Sequence, residues 1–440
     1  VRFDERIEIF LLFARERHAT RPVASNLVSD RVPWSAGRRG GNFLSNAGNF
    51  LEGDMRKALL GYGEPAPWFQ GQTHLNPKYT LDTVGGHPVV LSFYRSAADP
   101  LSHAIVEQFE SRGSDFEDGA KSMFFGVTTD PQDLSLQRVR ERSGMRHYFD
   151  LDTAISKLYG AVDQDYVPGH SAVPTADYSC FTVVLDQRLR CCRVVLFSSD
   201  PAQHVTEVMK VANDLVDTSP FVVGRSQAPV LIVPRIFEPE LCQRLIDHYE
   251  QHGGKESGFM RDVNGQTVGL YDYSHKRRRD QEILDENLRR ACMIRIHDRL
   301  APEIFKAYQF KATRMERYIV ACYEAETQGH FNRHRDNTTI GTAHRKFAVS
   351  LNLNTGDFEG GQLWFPEFGR QVFVPPAGGC AVFSCSLLHE ALPVTKGKRF
   401  VFLPFLYDDA AAQMRAQNER HLGGLGNSPE DAARGERAPT

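Results

Sequence analysis

Two hydrophobic rhythms that cannot share one sheet divide this chain of 440 residues. From about 55 to 225, apolar runs alternate with segments of helical spacing. The runs are "HPVVLSFY" (87–94), "SMFFGVTTD" (122–130), "CFTVVLDQ" (180–187) and "LRCCRVVLF" (189–197). The helical segments are "LSHAIVEQFESRG" (101–113), "PQDLSLQRVRERSG" (131–144) and "DPAQHVTEVMKVANDLV" (200–216). Strands separated by helices, closing on a hairpin and a helix, predict an α/β domain with a mixed sheet. Beyond residue 312 the strands are short and crowd together: "ERYIVACYE" (316–324), "KFAVSLNLN" (346–354), "GQLWFPEF" (361–368), "RQVFVPP" (370–376), "CAVFSC" (380–385) and "RFVFLPFLY" (399–407). That texture predicts a sandwich or jelly roll. It stands behind helices over 237–253 and 281–310, the second broken at Pro302. The expected domains are thus 55–225 and 226–408, joined at "VVGRSQAPV" (222–230). Residues 1–54 form an N-terminal extension with a Gly/Asn/Ser-rich linker at 35–49. Residues 409–440 form a tail, helical for its first dozen residues and disordered beyond.

Composition narrows the function classes. A formal net charge of -3 gives no global pull toward nucleic acid or anionic membrane. The basic run "HKRRRD" (275–280) lacks interleaved aromatics and reads as a solvated face, so a nucleic-acid partner is not expected. The eight cysteines form no CxxC pair and fit a reduced, cytoplasmic protein. The apolar run "IFLLFA" (9–14) is too short to span a membrane.

The stretch "GHFNRHRDNTTIG" (329–341) carries the chemistry. His334-Arg335-Asp336 spells the start of a kinase catalytic loop, but such a loop needs Asn five residues after the Asp, and Gly341 stands there. Read as His334-x-Asp336, the same letters put an imidazole and a carboxylate on one side of an extended segment. His389, after the strand "CAVFSCSLL", offers a third ligand. Two His and one carboxylate form a facial triad that leaves iron positions open. Arg399, at the head of the next strand, offers a bidentate partner for a carboxylate. Tyr323 could donate its hydroxyl to the same group. His330 and His344 read as non-ligands. Asn337, Arg335, Arg345 and Trp364 are candidates only for the rim or the core.

In order, "Y…GHFNRHRDN", "SLNLNTGDFEGGQLWF" and "HEALPVTKGKRFVF" resemble the prolyl-4-hydroxylase-type 2-oxoglutarate/Fe(II) dioxygenases over about 226–408. The resemblance implies a double-stranded β-helix (jelly roll) with flanking helices. It implies Fe(II) held by His334, Asp336 and His389, and 2-oxoglutarate held by Arg399 and Tyr323. It further implies O₂ as oxidant, succinate and CO₂ as products, and ascorbate as iron reductant. The substrate, peptidyl or small-molecule, is not readable. The glycines of "FEGGQLWFP" are expected to permit a tight turn.

The first domain resembles the peroxiredoxin, or AhpC/TSA-like, type of thioredoxin fold over about 56–218. The features that carry this are "LGYGEPAPWFQG…HPVVLSFYRSAADPLSH", "FFGVTTD", "GMRHYFDLDTAISKLYGAV" and "YSCFTVVLDQRLRC". That family needs a peroxidatic cysteine in the loop "SAADPLSH" (96–103), and Ser102 stands in its place. Serine cannot pass through a sulfenic acid. A domain without peroxidase activity is therefore expected, serving recognition, homodimerisation or shielding. The whole reads as an α/β thioredoxin-like domain followed by the jelly-roll oxygenase. The rival readings are an inactive redoxin-like binding or scaffold protein, and a thiol peroxidase, which Ser102 opposes.

Overall fold

The computed structural model describes residues 59–116, 121–217 and 227–425. The expected extension (1–54), most of the junction and the last fifteen residues of the tail lie outside these. The described residues fall into two compact units, 59–217 and 227–425.

The first unit runs β1 (Val89–Arg95), α1 (Pro100–Glu110), β2 (Met123–Thr128), β3 (Met145–Phe149), α2 (Ala154–Tyr159), β4 (Phe181–Leu185), β5 (Cys191–Leu196) and α3 (Pro201–Asp214). Its sheet has the order β3-β2-β1-β4-β5, parallel from β1 to β3 and antiparallel from β1 through β4 to β5. The central strand β1 is covered on both faces. Val90 packs with Ile105, Phe109 and Met209 of α1 and α3, while Phe93 packs with Tyr159 of α2. Two-sided burial is why β1 reads as a continuous apolar run. The helix expected over 131–144 spans only Pro131–Ser135. Gln137 takes a left-handed φ of 50°, and Arg138 folds back onto Asp130 (3.0 Å) and Asp133 (3.3 Å), which ends it. Strand β3 occupies the following stretch, where no strand was expected.

The second unit opens with β6 (Leu231–Val233), α4 (Pro239–His252), the hairpin β7 (Phe259–Val263) and β8 (Gln266–Leu270), then β9 (Lys276–Arg277) and β10 (Arg279–Glu282). Helices α5 (Glu286–Arg295) and α6 (Ala301–Tyr308) follow, joined by a π-helical turn, Ile296–Leu300. The helical stretch thus changes its winding just before Pro302, and its first two expected residues, 281–282, are strand. Then come β11 (Arg314–Glu316), β12 (Ile319–Glu324), β13 (His330–His334), β14 (Phe347–Asn352), β15 (Leu363–Trp364), β16 (Val372–Phe373), β17 (Cys380–Ser384), β18 (His389–Ala391), β19 (Lys398–Phe402) and β20 (Phe405–Tyr407). The chain ends with α7 (Asp409–Asn418) and β21 (Leu422–Leu425).

Two sheets result. The larger has the order β11-β20-β14-β19-β12-β10, with β17 and then β6 branching from β14; the smaller is β9-β13-β18-β15-β16. Alternation along β12 shows how they face. Ile319, Ala321 and Tyr323 join the core that also holds Leu363 and Phe383, while Val320 and Cys322 pack with Leu245 and Ile296 of the helical layer. This is a double-stranded β-helix with flanking helices, as the resemblance implies and in keeping with the sandwich or jelly roll that the spacing of short strands predicts. Two expectations fail here. Within the tail, residues 422–425 form β21, which returns to pair in parallel with β8, and the residues after them lie outside the described ones. Nor is "HKRRRD" a solvated face: Lys276 and Arg278 are 4% and 5% exposed, because β9 and β10 alternate their side chains into the unit.

Candidate active site

Strand pairing builds the centre of the site. On the smaller sheet β13 and β18 run antiparallel, and His334 and His389 are direct partners. Their rings lie 4.2 Å apart, centroid to centroid. Asp336 sits in the turn after β13 rather than on an extended segment, and its N–H donates to the Cys385 carbonyl (2.9 Å). That bond carries the carboxylate back between the imidazoles. His334 Nε2 lies 3.6 Å from Asp336 Oδ1, and His389 Nε2 lies 3.4 Å from Asp336 Oδ2. Ligand atoms of all three lie within 4.8 Å of one another.

The tautomers follow from the far side of each ring. His334 Nδ1 meets the Asn332 carbonyl (2.7 Å) and His389 Nδ1 meets the Leu387 carbonyl (2.9 Å). A carbonyl only accepts, so Nδ1 carries the proton and each Nε2 lone pair faces the centre. Burial, then the neighbouring His389, hold the His334 pKa well below the usual imidazole value. The ring is therefore neutral, as a ligand must be. Phe331 stacks on it at 3.5 Å and 18°. His330 and His344 lie outside the triad: His330 bonds the Gln328 carbonyl, and His344 is buried against Glu316 (3.0 Å).

The larger sheet supplies the opposite wall. Tyr323 on β12 and Arg399 on β19 are direct strand partners. Arg399 is only 2% exposed. Its guanidinium donates to Asn352 Oδ1 (3.2 and 3.0 Å) and Ser350 Oγ (2.9 Å), and no carboxylate pairs with it among the described residues. A buried cation with neutral partners is costly unless an anion joins it. The Tyr323 ring lies between two guanidiniums, Arg399 at 5.3 Å and Arg278 at 5.7 Å. Arg278 Nη1 donates to the Tyr323 oxygen (3.3 Å), which leaves the tyrosine proton to be donated elsewhere. Arg278 is itself clamped by both oxygens of Asp280 (2.7 Å each). The Gly360–Gly361 turn closes this wall. Both glycines have positive φ (79° and 67°), and a Cβ on Gly361 would stand 2.9 Å from Arg399 Cδ.

A cavity of about 490 Å³, its mouth included, lies between the walls and is lined by the triad, Tyr323, Arg399, Arg278 and Arg317. Sequence reasoning placed the first five residues together and missed the two arginines. Arg278 sits in a run of charges, which has no apolar periodicity to reveal that alternate members point inward, and Arg317 sits in the bend before β12. The other candidates stay outside the cavity lining. Arg335 pairs with Glu367 (2.8 Å), Asn337 bonds Ser386 (2.8 Å), Trp364 donates to the Gly369 carbonyl (2.6 Å), and Arg345 pairs with Glu316 (2.7 Å).

In the first unit, Ser102 lies in the first turn of α1, fully buried. Its hydroxyl lies 2.7 Å from the Tyr94 carbonyl and 2.8 Å from Asp99 Oδ2, the N-cap carboxylate. None of the eight cysteines, all among the described residues, forms a disulfide. Burial pushes Cys180 and Cys192 each up to about 11, away from the thiolate.

Comparison with known proteins agrees with both halves. Residues 318–407 match the 2OG-Fe(II) oxygenase superfamily, and residues 62–187 match the AhpC/TSA family. Human and mouse procollagen-lysine,2-oxoglutarate 5-dioxygenase 2 are each 26% identical over 178 residues, 39% of this chain. The match covers 22% of those proteins, about a fifth of their length. Among solved structures, a Trichoplax adhaerens prolyl hydroxylase in complex with a hypoxia inducible factor peptide fragment is 17% identical (TM-score 0.34), covering 43% of this chain and 87% of its own. A Pseudomonas putida prolyl-4-hydroxylase is 17% identical (TM-score 0.32; 41% and 94%), and the peroxidoxin BcpB of Mycobacterium tuberculosis is 17% identical (TM-score 0.30; 36% and 98%). No helix among the described residues is long and apolar enough to cross a membrane.

Proposed function

For a chain that carries an AhpC/TSA-type domain followed by a 2OG-Fe(II) oxygenase domain, we propose an Fe(II)- and 2-oxoglutarate-dependent dioxygenase. It hydroxylates a peptidyl or small-molecule substrate and forms succinate and CO₂. The observation that carries this is the convergence of His334, Asp336 and His389 opposite a buried arginine that lacks a carboxylate partner. Two neutral imidazoles and one carboxylate suit Fe(II) and leave positions free for 2-oxoglutarate and O₂. When bound, the metal and co-substrate supply the activation of O₂ and the insertion of one oxygen atom into a C–H bond.

The protein's own residues then hold and orient. His334, Asp336 and His389 are the metal ligands. Arg399 receives the distal carboxylate of 2-oxoglutarate through paired N–H donors. Tyr323 donates its remaining proton to the same carboxylate, because Arg278 already occupies its oxygen as donor. Phe331, Leu363 and Phe383 line the cavity and keep bulk water away. Ascorbate is the proposed reductant of the iron. The first domain is proposed to be peroxidase-inactive and to serve recognition, dimerisation or shielding.

Anaerobic titration of Fe(II) and 2-oxoglutarate tests this in wild type and His334→Ala. The visible charge-transfer band of the chelate is expected in the former and not in the latter. A wild type without the band sinks the assignment. Slow succinate release under air, without added substrate, is the expected companion result.

A further inference from the structure

Arg317 stands in the bend between β11 and β12 with a φ of 71°, a left-handed conformation that costs a non-glycine residue energy. Its side chain lines the cavity and is 27% exposed, at the mouth rather than in the floor. Of its five N–H donors one is used among the described residues, Nη2 to Asp280 Oδ2 (3.0 Å). That oxygen also accepts from Arg278 Nη2 (2.7 Å) and from the Ser257 hydroxyl (2.6 Å). One carboxylate therefore serves two guanidiniums and offsets the charge of one.

The remaining charges do not correct this. Arg345 shares Glu316 with Arg415, and Lys276, behind Phe331, faces only Ser257 and the Gly258 carbonyl. Fe(II), Asp336 and a 2-oxoglutarate dianion together would carry one negative charge, which Arg399 meets. Arg278 and Asp280 balance each other. Arg317 remains, a cation on the cavity wall after metal and co-substrate are seated. Arg317 and Asp336 line the same cavity. The cavity wall thus carries a second cation, Arg317, besides the Arg399 that pairs across the sheet with Tyr323.

We infer that the primary substrate bears a single carboxylate, held by Arg317 next to the carbon that is oxidised. This substrate class rests on the oxygenase reading above. The strained backbone fits the role, since such conformations persist where they aim a side chain at a ligand.

The test uses the full chain, anaerobic, loaded with Fe(II) and 2-oxoglutarate. The chelate band is recorded first, so failure of the oxygenase reading shows before any probe is added. Propionate is then titrated and its proton signals are followed for broadening by the paramagnetic iron, with propionamide as the uncharged analogue. Saturable broadening by propionate and none by propionamide is expected. Arg317→Gly relieves the positive φ and so retains the fold, and should weaken propionate binding roughly ten- to a hundredfold, the loss expected for a hydrogen bond to a charged group. Arg317→Lys should restore part of it. Equal broadening by propionamide, or unchanged propionate affinity in Arg317→Gly, overturns the inference. So does loss of the chelate band in Arg317→Gly, which would assign Arg317 to the co-substrate. A blocked glutamate residue run beside propionate separates the sources: faster succinate release with one or the other identifies an acidic side chain or a free acid.

Discussion

Replacing Arg399 by Met separates what this guanidinium does for the fold from what it does for a ligand. In the free protein it is buried beside Tyr323 and bonded to Asn352 and Ser350, with no anion among the described residues to offset its charge. Removing the charge relieves a desolvation cost. Removing the donors leaves Asn352 Oδ1 and Ser350 Oγ short of partners, at about 1–3 kcal/mol for an unsatisfied buried group. The two effects oppose, so the melting temperature should move by only a few degrees, either way. Co-substrate binding has no such cancellation. Two charge-assisted hydrogen bonds to a carboxylate contribute about 3–5 kcal/mol, so the Kd for 2-oxoglutarate should rise roughly 10²- to 10³-fold. The assay is the anaerobic chelate band titrated with 2-oxoglutarate, alongside thermal unfolding of the metal-free protein. Arg399→Lys keeps a charge but not the paired donors and should fall between. A change in Kd below about threefold with the fold intact would refute Arg399 as the carboxylate anchor. Collapse of the fold in both variants would make the guanidinium a structural element instead.

Three further outcomes are expected. Ser102→Cys should not create a peroxidase: the new thiol would face Asp99 Oδ2 where the hydroxyl now lies at 2.8 Å, and a carboxylate opposes the thiolate. Peroxide consumption by that variant at a rate typical of thiol peroxidases would contradict this. Glu316 is held well below the usual carboxylate range, against its own burial, by Arg345, then His344 and Arg415. Its stabilising contribution is complete above the unfolded value, about 4.3, and is lost as pH falls toward the lower folded value. Glu316→Gln should therefore cost about 3–5 kcal/mol near neutrality, with the deficit shrinking below about pH 4; a deficit constant with pH, followed by denaturant unfolding, would be the contrary result. Gly361→Ala should raise the KM for 2-oxoglutarate through strain at its φ of 67° and pressure on Arg399 Cδ, with succinate release as readout. Unchanged KM would place the turn's strain elsewhere.

His334, His389 and Arg399 were legible because each stands on a strand whose period-2 pattern shows where the side chain points. Burial of β12 and β19 on both faces makes their apolar runs unmistakable, and Tyr323 and Arg399 fall among them. The turn that holds Asp336 was not legible, because the bond to the Cys385 carbonyl comes from a strand far along the chain. Arg278 and Arg317 were hidden for a different reason. A buried cation is recognised by its counter-charge, and Asp280 lies in a run of charges that looks solvated. The length of the 131–144 segment was misjudged because Gln137 adopts a left-handed conformation that propensity does not forecast. The return of β21 likewise depends on a distant partner, β8.

The pairing of His334 with His389 makes any ion at the triad a rivet through the middle of the smaller sheet. The two histidines are fifty-five positions apart in the chain, and a metal held by both would close that span as a crosslink does. Occupancy and order then become one variable. In an iron-poor cell the chain would lose catalysis together with the clasp on β13 and β18, and the empty form would be the one that proteases select.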